Sequence, residues 1–110
     1  RHNIHLTSND SVHFMIMAMK PLSSALWHRS ITPGPIFYSV LQGELTITEN
    51  SRRTKTLLKR HCLKPCSLPI RLDRDNWRTV SNTSSSVTFY YEICPGPHSP
   101  NDTLWNLVDI

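Results

Sequence analysis

Residues 36–48 read Ile-Phe-Tyr-Ser-Val-Leu-Gln-Gly-Glu-Leu-Thr-Ile-Thr, and this stretch decides the fold. Most of its side chains are aromatic, aliphatic or β-branched, and polar and apolar residues alternate from Gln42 onward, which is the period of a half-buried strand. Gly43 interrupts the pattern, and glycine adopts a positive φ that other residues reach only with strain. The stretch therefore predicts two strands that meet at a sharp corner at Gly43.

The size and composition predict one soluble domain over residues 1–110. The chain is 38% hydrophobic and 18% charged, which suits a single hydrophobic core. The longest apolar run, residues 14–19, is far shorter than the ~20 residues that cross a bilayer, so we expect no membrane partner. Three cysteines are an odd number in a chain with enough apolar residues to fold unaided, which favours a reducing, cytoplasmic location.

The charge pattern bears on the class of partner. Twelve Lys and Arg residues against eight Asp and Glu give a net charge of +4, which attracts acidic ligands. The basic residues are scattered and have no aromatic residues interleaved with them, so they form no stacking platform for bases. We therefore expect a solvated basic surface and no nucleic-acid partner.

Short segments with a strand pattern, separated by turn signals, continue along the chain. Besides residues 36–48, these segments are residues 12–19, 54–63, 67–72, 77–82 and 86–93. The segment 54–63 carries alternating basic side chains, as edge strands do. Residues 21–35 predict a loop, because two prolines bracket Gly34, and the segment after Asn101 predicts one helical turn. About eight short strands without helical periodicity predict an all-β sandwich or barrel, in the order of a small jelly roll.

The apolar members of the clearest strands are the predicted core. They are Phe37, Val40, Leu45, Val87, Phe89 and Tyr91. This choice assumes that the apolar face of each strand points inward, because a shift of one residue exchanges the two faces.

Several short motifs, in their order and spacing, resemble the small cupins of the tellurite-resistance type. They are Pro21-Leu22, His28, residues 38–45, Pro69, residues 77–80 and residues 89–91. The match covers residues 21–93 and leaves residues 95–110 as a C-terminal tail. The resemblance implies a double-stranded β-helix, the cupin jelly roll, whose open end holds a metal or a small ligand, with a role in stress or tellurite resistance.

The resemblance also implies where a metal would bind, and here the sequence departs from the family. Of the histidines and glutamate that ligate the metal in cupins, only His28 has a counterpart, and Arg78 stands where the later histidine is expected. An arginine stays protonated and repels a cation. We therefore expect a degenerate metal site, with His28 as the one candidate ligand for zinc, nickel or iron.

The predicted ligand-binding residues are His28, Tyr38, Trp77 and Arg78. Arg78 can hold a carboxylate or oxyanion in its fork of donors, with the Trp77 indole as a wall of the pocket. If His28 and Arg78 face one another, the pocket carries a fixed positive charge and one imidazole and prefers anions. The alternatives are a loop histidine without a role and a strand arginine that points to solvent.

A second group of metal-binding residue types lies elsewhere in the sequence. It comprises His61, Cys62, Cys66, Cys94 and His98. Nitrogen and sulfur ligands of this kind bind zinc, but zinc sites usually have more closely paired cysteines. We favour cysteines that are buried as small hydrophobic residues.

Three functions fit these observations. The first is a small-molecule or oxyanion-binding cupin with a degenerate metal site. The second is a metal-dependent, dioxygenase-like enzyme in which His13 or Glu92 completes a ligand set with His28. The third is a structural module that forms a homodimer.

Overall fold

The computed structural model describes residues 2–3, 11–96 and 100–106. Within them the chain forms eleven strands: β1 (His2–Asn3), β2 (Val12–Met19), β3 (Ser23–Ser24), β4 (Trp27–Ser30), β5 (Pro35–Gln42), β6 (Leu45–Asn50), β7 (Leu57–Leu63), β8 (Ile70–Asp73), β9 (Trp77–Asn82), β10 (Thr88–Pro95) and β11 (Thr103–Asn106). One short 3₁₀ turn, Pro100–Asp102, precedes β11. Among the described residues, no helix has the length and apolarity that a membrane crossing requires.

The strands form two antiparallel sheets, which we call the front and back sheets. The front sheet has the order β1-β2-β10-β5-β8, and the back sheet has the order β11-β4-β9-β6-β7, with β3 beside β9. The charged strand β7 lies at the edge of the back sheet, where its pattern predicted it. Chain neighbours β5 and β6 lie in different sheets, so the corner between them joins the two layers.

The corner at Gly43 is confirmed. Gly43 has a φ of 95° and lies between β5 and β6. The buried hydroxyl of Thr88 holds the corner, since it donates to the Glu44 carbonyl at 2.7 Å and accepts from the Glu44 amide at 3.1 Å. A Cβ atom on Gly43 would lie 2.5 Å from that hydroxyl oxygen. The corner therefore needs glycine for its backbone conformation and for its close packing.

The core lies between the sheets and consists of inward residues of both. It comprises Ile36, Tyr38, Val40, Leu45, Ile47, Leu63, Leu72, Val80 and Tyr90. The prediction was right for Val40 and Leu45. It was wrong for Val87 and Phe89, which are 38% and 39% exposed. Strand β10 turns its other face inward, so Thr88, Tyr90 and Glu92 are the buried residues there.

Phe37 and Tyr91, also predicted as core, are only half-buried and alternate with the inward residues of their strands. They therefore lie on the outer face of the front sheet. A strand whose outer face is apolar and whose inner face includes Glu92 gives a misleading alternation pattern.

Two further segments differ from their predictions. The segment predicted as a loop contains β3 and β4, because β4 pairs with β11 and with Arg78 of β9. The tail predicted as a helical turn is helical only over Pro100–Asp102, and β11 follows it as a strand. Strands β4 and β11 depend on partners far away in the sequence, which local patterns do not reveal.

Candidate functional site

A cavity of about 180 Å³ opens between the two sheets. Its apolar part is formed by Met15, Met17, Ile36 and Val80. Its polar part includes His13, Glu92 and Cys94 from the front sheet, His28, Arg78, Ser30 and Thr103 from the back sheet, and Arg74 and Asp102 from connecting segments. A small cavity with an apolar base and a few polar groups is the usual form of a ligand site.

Arg78 is a buried, hydrogen-bonded polar group in the cavity wall. It points inward from β9 and is 5% exposed. Its Nε donates to the Tyr38 hydroxyl at 2.7 Å, and its Nη1 donates to the Arg74 carbonyl at 2.9 Å. Burial acts to lower the pKa of Arg78, but the neighbouring Tyr38 and Glu92 raise it above the usual arginine value. Arg78 is therefore a charged group held in one orientation.

Tyr38 lies behind Arg78 and belongs to the core. It is fully buried on β5, and burial raises its pKa well above the ordinary tyrosine value, although the Arg78 charge opposes this shift. Its phenol is therefore neutral and accepts the Arg78 hydrogen bond. Among the described residues the cavity lining does not include Tyr38, so any part it plays in ligand binding is through the orientation of Arg78.

His28 faces the same cavity from β4. Its Cα is paired with that of Arg78, so the structure brings together these two predicted site residues. Its Nδ1 lies 2.8 Å from the Leu26 carbonyl, so Nδ1 carries the proton in the neutral ring and Nε2 is the acceptor nitrogen. The Trp105 ring lies 4.8 Å from the imidazole, centroid to centroid. His28 is therefore a buried wall residue and not a surface-loop histidine.

Trp77 is not part of the cavity wall, and its predicted role as a wall was wrong. It precedes Arg78 on β9, and adjacent residues of a strand point to opposite faces. Its ring instead lies on the outer side of the back sheet, with the Arg29 guanidinium 5.5 Å from the ring centroid. Tyr90 and Trp105 are aromatic residues that line the cavity. The sequence did not indicate Trp105, because β11 was predicted as a helical turn.

The sequence named His13 and Glu92 only as alternative metal ligands, and it did not predict that the inward residues of β2 and β10 form one wall of a cavity. His13, Met15 and Met17 alternate on β2, and this period of two was visible in the sequence. The Cys94 sulfur lies 4.0 Å from Nδ1 of His13, and burial raises the pKa of the Cys94 thiol. The cavity thus contains two imidazoles and a thiol. The first of the three predicted functions had one imidazole, and the second added His13 or Glu92 to it.

The charge of the cavity also differs from the prediction. Arg74 and Arg78 supply two positive charges, and Glu92 and Asp102 supply two negative charges, so the described lining sums to zero with neutral histidines. Asp102 is engaged at the rim, where its Oδ1 accepts from the Thr32 amide at 2.9 Å and from the Thr32 hydroxyl at 2.6 Å. The wall is therefore balanced in charge and not uniformly positive.

The described residues form no ready ligand cluster for a divalent metal. No three of their His, Cys, Asp or Glu side chains are grouped so that they could hold an ion, although His13, His28 and Glu92 share the cavity. The fixed charge of Arg78, in the wall beside His28, would also repel a cation.

The second predicted group of metal-binding residues is dispersed within the described part of the chain. Cys62 and Cys66 are exposed, so the prediction that they are buried was wrong, and all three cysteines are free thiols. Nε2 of His61 lies 3.8 Å from Oε1 of Glu49. His98 lies outside the described residues. This group therefore supplies no metal site in the described chain.

Two antiparallel sheets closed around a polar cavity define an all-β jelly roll of the cupin type, and solved structures confirm this fold. CapF, a capsular polysaccharide assembling protein from Staphylococcus aureus, has a TM-score of 0.76 and 14% identity over 91% of this chain and 29% of its own. Peruvianin-I, a cysteine peptidase from Thevetia peruviana latex, has a TM-score of 0.74 and 10% identity over 87% of this chain and 56% of its own.

An oxalate oxidase solved with the substrate analogue glycolate has a TM-score of 0.72 and 10% identity over 86% of this chain and 46% of its own. The chain thus spans about half or less of these three proteins. No family model and no curated protein sequence matches it. At these identities, the likeness establishes the fold alone.

Proposed function

We propose that this protein binds a small molecule that carries a carboxylate or another oxyanion, in the cavity between its sheets. The observation that carries the proposal is the buried guanidinium of Arg78, which Tyr38 and the Arg74 carbonyl hold in place from behind. Three further N–H donors of an arginine remain beyond the two used in these bonds. A fixed, buried guanidinium is suited to an anion, because its donors match the geometry of two oxygens.

The balance of charge narrows the class of ligand. The Glu92 carboxylate lines the same cavity and raises the pKa of Arg78, so the two charges interact across the site. A ligand that brings only negative charge would be repelled by Glu92, whereas one that also carries a hydroxyl or amino group can donate to it. We therefore favour a small hydroxy or amino acid over a simple inorganic anion.

The proposal also includes a biological role and a cellular compartment. The resemblance of residues 21–93 to tellurite-resistance cupins supports a stress-related role in the cytoplasm, with tellurite as one oxyanion to test. The three free cysteines are compatible with a reducing compartment.

Calorimetric titration with glycolate, glycine, acetate, phosphate and tellurite tests the proposal. We expect Arg78→Gln to weaken binding of the best of these ligands by about 10- to 100-fold, which is the loss of one charge-assisted hydrogen bond. The matched control is Arg71→Gln, since Arg71 is exposed on the outer side of β8 and pairs with Asp73 at 3.1 Å. Thermal unfolding of each variant separates lost binding from lost folding. A parent that binds none of these probes would refute the proposal.

A metal-dependent enzyme is the second candidate, because His13, His28 and Glu92 line one cavity. On that hypothesis they hold zinc, nickel or iron. Elemental analysis of the purified protein distinguishes the two candidates: a stoichiometric metal that His28→Ala removes would favour the enzyme. Under our first proposal the parent binds these metals weakly, and Arg78→His raises its zinc or nickel affinity because a cation is replaced by a nitrogen ligand.

A further inference from the structure

The positive charge of this chain is concentrated in one segment. Residues 51–64 contain six of its twelve Lys and Arg residues and no Asp or Glu. The six are Arg52, Arg53, Lys55, Lys59, Arg60 and Lys64. In the rest of the chain the other six basic residues are outnumbered by all eight acidic ones. The excess positive charge therefore lies on the turn between β6 and β7, on β7 itself and immediately after it.

Strand β7 has an open edge. It is the last strand of the back sheet and, within the described chain, pairs with β6 alone. On the side away from its one neighbour, alternate residues of such a strand present backbone N–H and C=O groups that no other strand has taken up. Residues 57–60 are all exposed, so this part of the edge is accessible. A further strand can therefore be added to the back sheet at β7.

The side chains of β7 define what such a strand must carry. Leu57 and Leu58 are 55% and 54% exposed, which is unfavourable for leucine in water. Lys59 and Arg60 follow directly and are exposed as well. Adjacent residues of a strand point to opposite faces, so each face of the edge carries one leucine beside one basic side chain. The edge thus offers apolar and cationic contacts on both of its faces.

The cations of β7 are not neutralised within the described chain. Two others of the group have a carboxylate nearby, Arg52 at 3.7 Å and Lys64 at 4.0 Å. Lys59 lies opposite Glu49 in the strand register, but these two form no ion pair in the part of the chain that the structure describes, and neither does Arg60. Lys59 and Arg60 can therefore interact with carboxylates of a partner.

We propose that the open edge of β7 binds an extended acidic segment of a partner protein, which adds to the back sheet as a further strand. The segment has two adjacent acidic residues for Lys59 and Arg60, and two adjacent aliphatic residues for Leu57 and Leu58. Backbone hydrogen bonds supply affinity, and these side-chain contacts supply specificity. The proposal does not depend on ligand binding in the cavity.

Charge selects this occupant over a second copy of β7. Two copies of the edge would bring Lys59 and Arg60 against the same cations, and like charges repel across paired strands. Basic side chains on an edge strand protect a protein from pairing with its own copies in this way. The same charges attract an acidic strand, so the edge discriminates between the two kinds of partner.

Fluorescence anisotropy with a labelled peptide, Thr-Val-Val-Glu-Glu-Val-Thr-Thr, tests the proposal. We expect the parent to bind it with a dissociation constant of about 1–100 μM. The decisive control is the same peptide with the backbone amides of its four central residues N-methylated. This peptide keeps the charge and loses the backbone donors, so it should bind at least about tenfold more weakly.

Charge reversal at the edge provides the second test. The double variant Lys59→Glu, Arg60→Glu should bind the peptide at least about tenfold more weakly and should bind a peptide with Lys-Lys in place of Glu-Glu. Arg71→Glu is the matched control, since β8 is the edge strand of the front sheet, and it should bind as the parent does. Circular dichroism establishes folding; if the double variant unfolds, Arg60→Glu alone replaces it, because Arg60 is exposed.

Four results would overturn the proposal. The first is a parent that does not bind the acidic peptide, and the second is a folded charge-reversal variant that binds it as the parent does. The third is an Arg71→Glu variant that loses binding equally. The fourth is an N-methylated peptide that binds as tightly as the unmodified one, which would assign the edge to polyanions in general, including nucleic acids.

Discussion

Nε of Arg78 donates a 2.7 Å hydrogen bond to the hydroxyl of Tyr38, and these residues belong to different sheets. A charged side chain therefore crosses the interior of the barrel and is anchored at its far end by a neutral phenol. The same bond joins the two layers and fixes the direction of the guanidinium in the cavity. Stability and ligand binding are thus linked through one contact.

Tyr38→Phe is expected to destabilise the protein by about 1.5–3 kcal/mol, because it removes the acceptor of a buried, charged donor. Urea unfolding measures this loss. The matched control is Tyr91→Phe, whose ring lies on the outer face of the same sheet, and it should change stability by less than about 0.5 kcal/mol. Equal effects of the two substitutions would contradict the importance of the Arg78 contact.

His61 predicts a dependence of stability on pH. Burial and the nearby Lys59 lower its pKa, while Glu49 partly opposes this shift. The folded state therefore favours the neutral ring, so the contribution of His61 is complete above the unfolded pKa of about 6.5 and is lost as pH falls through the lower folded value.

Unfolding curves of the parent and of His61→Gln at several pH values test this expectation. The stability difference, parent minus variant, should shrink as pH falls from about 7 to about 5. Cys62→Ser, at the exposed neighbouring position, should give a difference that does not change over this range. A constant difference for His61→Gln would show that the ring does not titrate in this way.

Gly43→Ala should cost several kcal/mol, at the upper end for single substitutions. The new Cβ would lie 2.5 Å from the Thr88 hydroxyl and 3.0 Å from the Thr88 Cα. Gly34→Ala is the comparison, since Gly34 also has a positive φ, of 137°, but its nearest neighbour would be the Arg74 side chain at 3.4 Å. Thermal unfolding should show the larger loss of stability for Gly43→Ala. A similar loss for both variants would mean that backbone strain, and not the contact with Thr88, causes it.

Phe89→Ala should cost less than Leu45→Ala, although phenylalanine is the larger residue. Leu45 is 1% exposed in the core, where truncation costs about 2–5 kcal/mol, whereas Phe89 is 39% exposed on the outer face of the front sheet. Urea unfolding of the two variants measures both losses. A loss at Phe89 as large as that at Leu45 would mean that Phe89 is buried within a single chain.

The sequence predicted the fold well where a local signal was strong. Gly43 was recognisable because a lone glycine breaks an otherwise regular strand pattern, and β9 was bounded by turn residues on both sides. The sequence could not predict which face of β10 points inward. The alternation of polar and apolar residues assigns a strand's faces only if the inner face is apolar and the outer face is polar. In β10 the charged Glu92 faces the cavity, and the apolar Phe89 lies on the outer face of the front sheet.

The candidate site was predictable only in part. His28 and Arg78 were found through the resemblance, and their pairing across β4 and β9 brings them to one wall. Trp77 was misplaced because adjacency in sequence was taken as adjacency in space. Trp105 could not be found, since β11 becomes a strand only through pairing with β4, about 75 residues earlier in the chain.

Strand β11 has a consequence for how this protein can diversify. Thr103 and Trp105 line the cavity, yet none of the buried core residues in the described chain comes from β11. Mutations in the four residues of β11, Thr103–Asn106, can therefore reshape the cavity wall without disturbing the core packing on which folding depends. Selection for a new ligand, in nature or in a library, would find its most tolerant positions here.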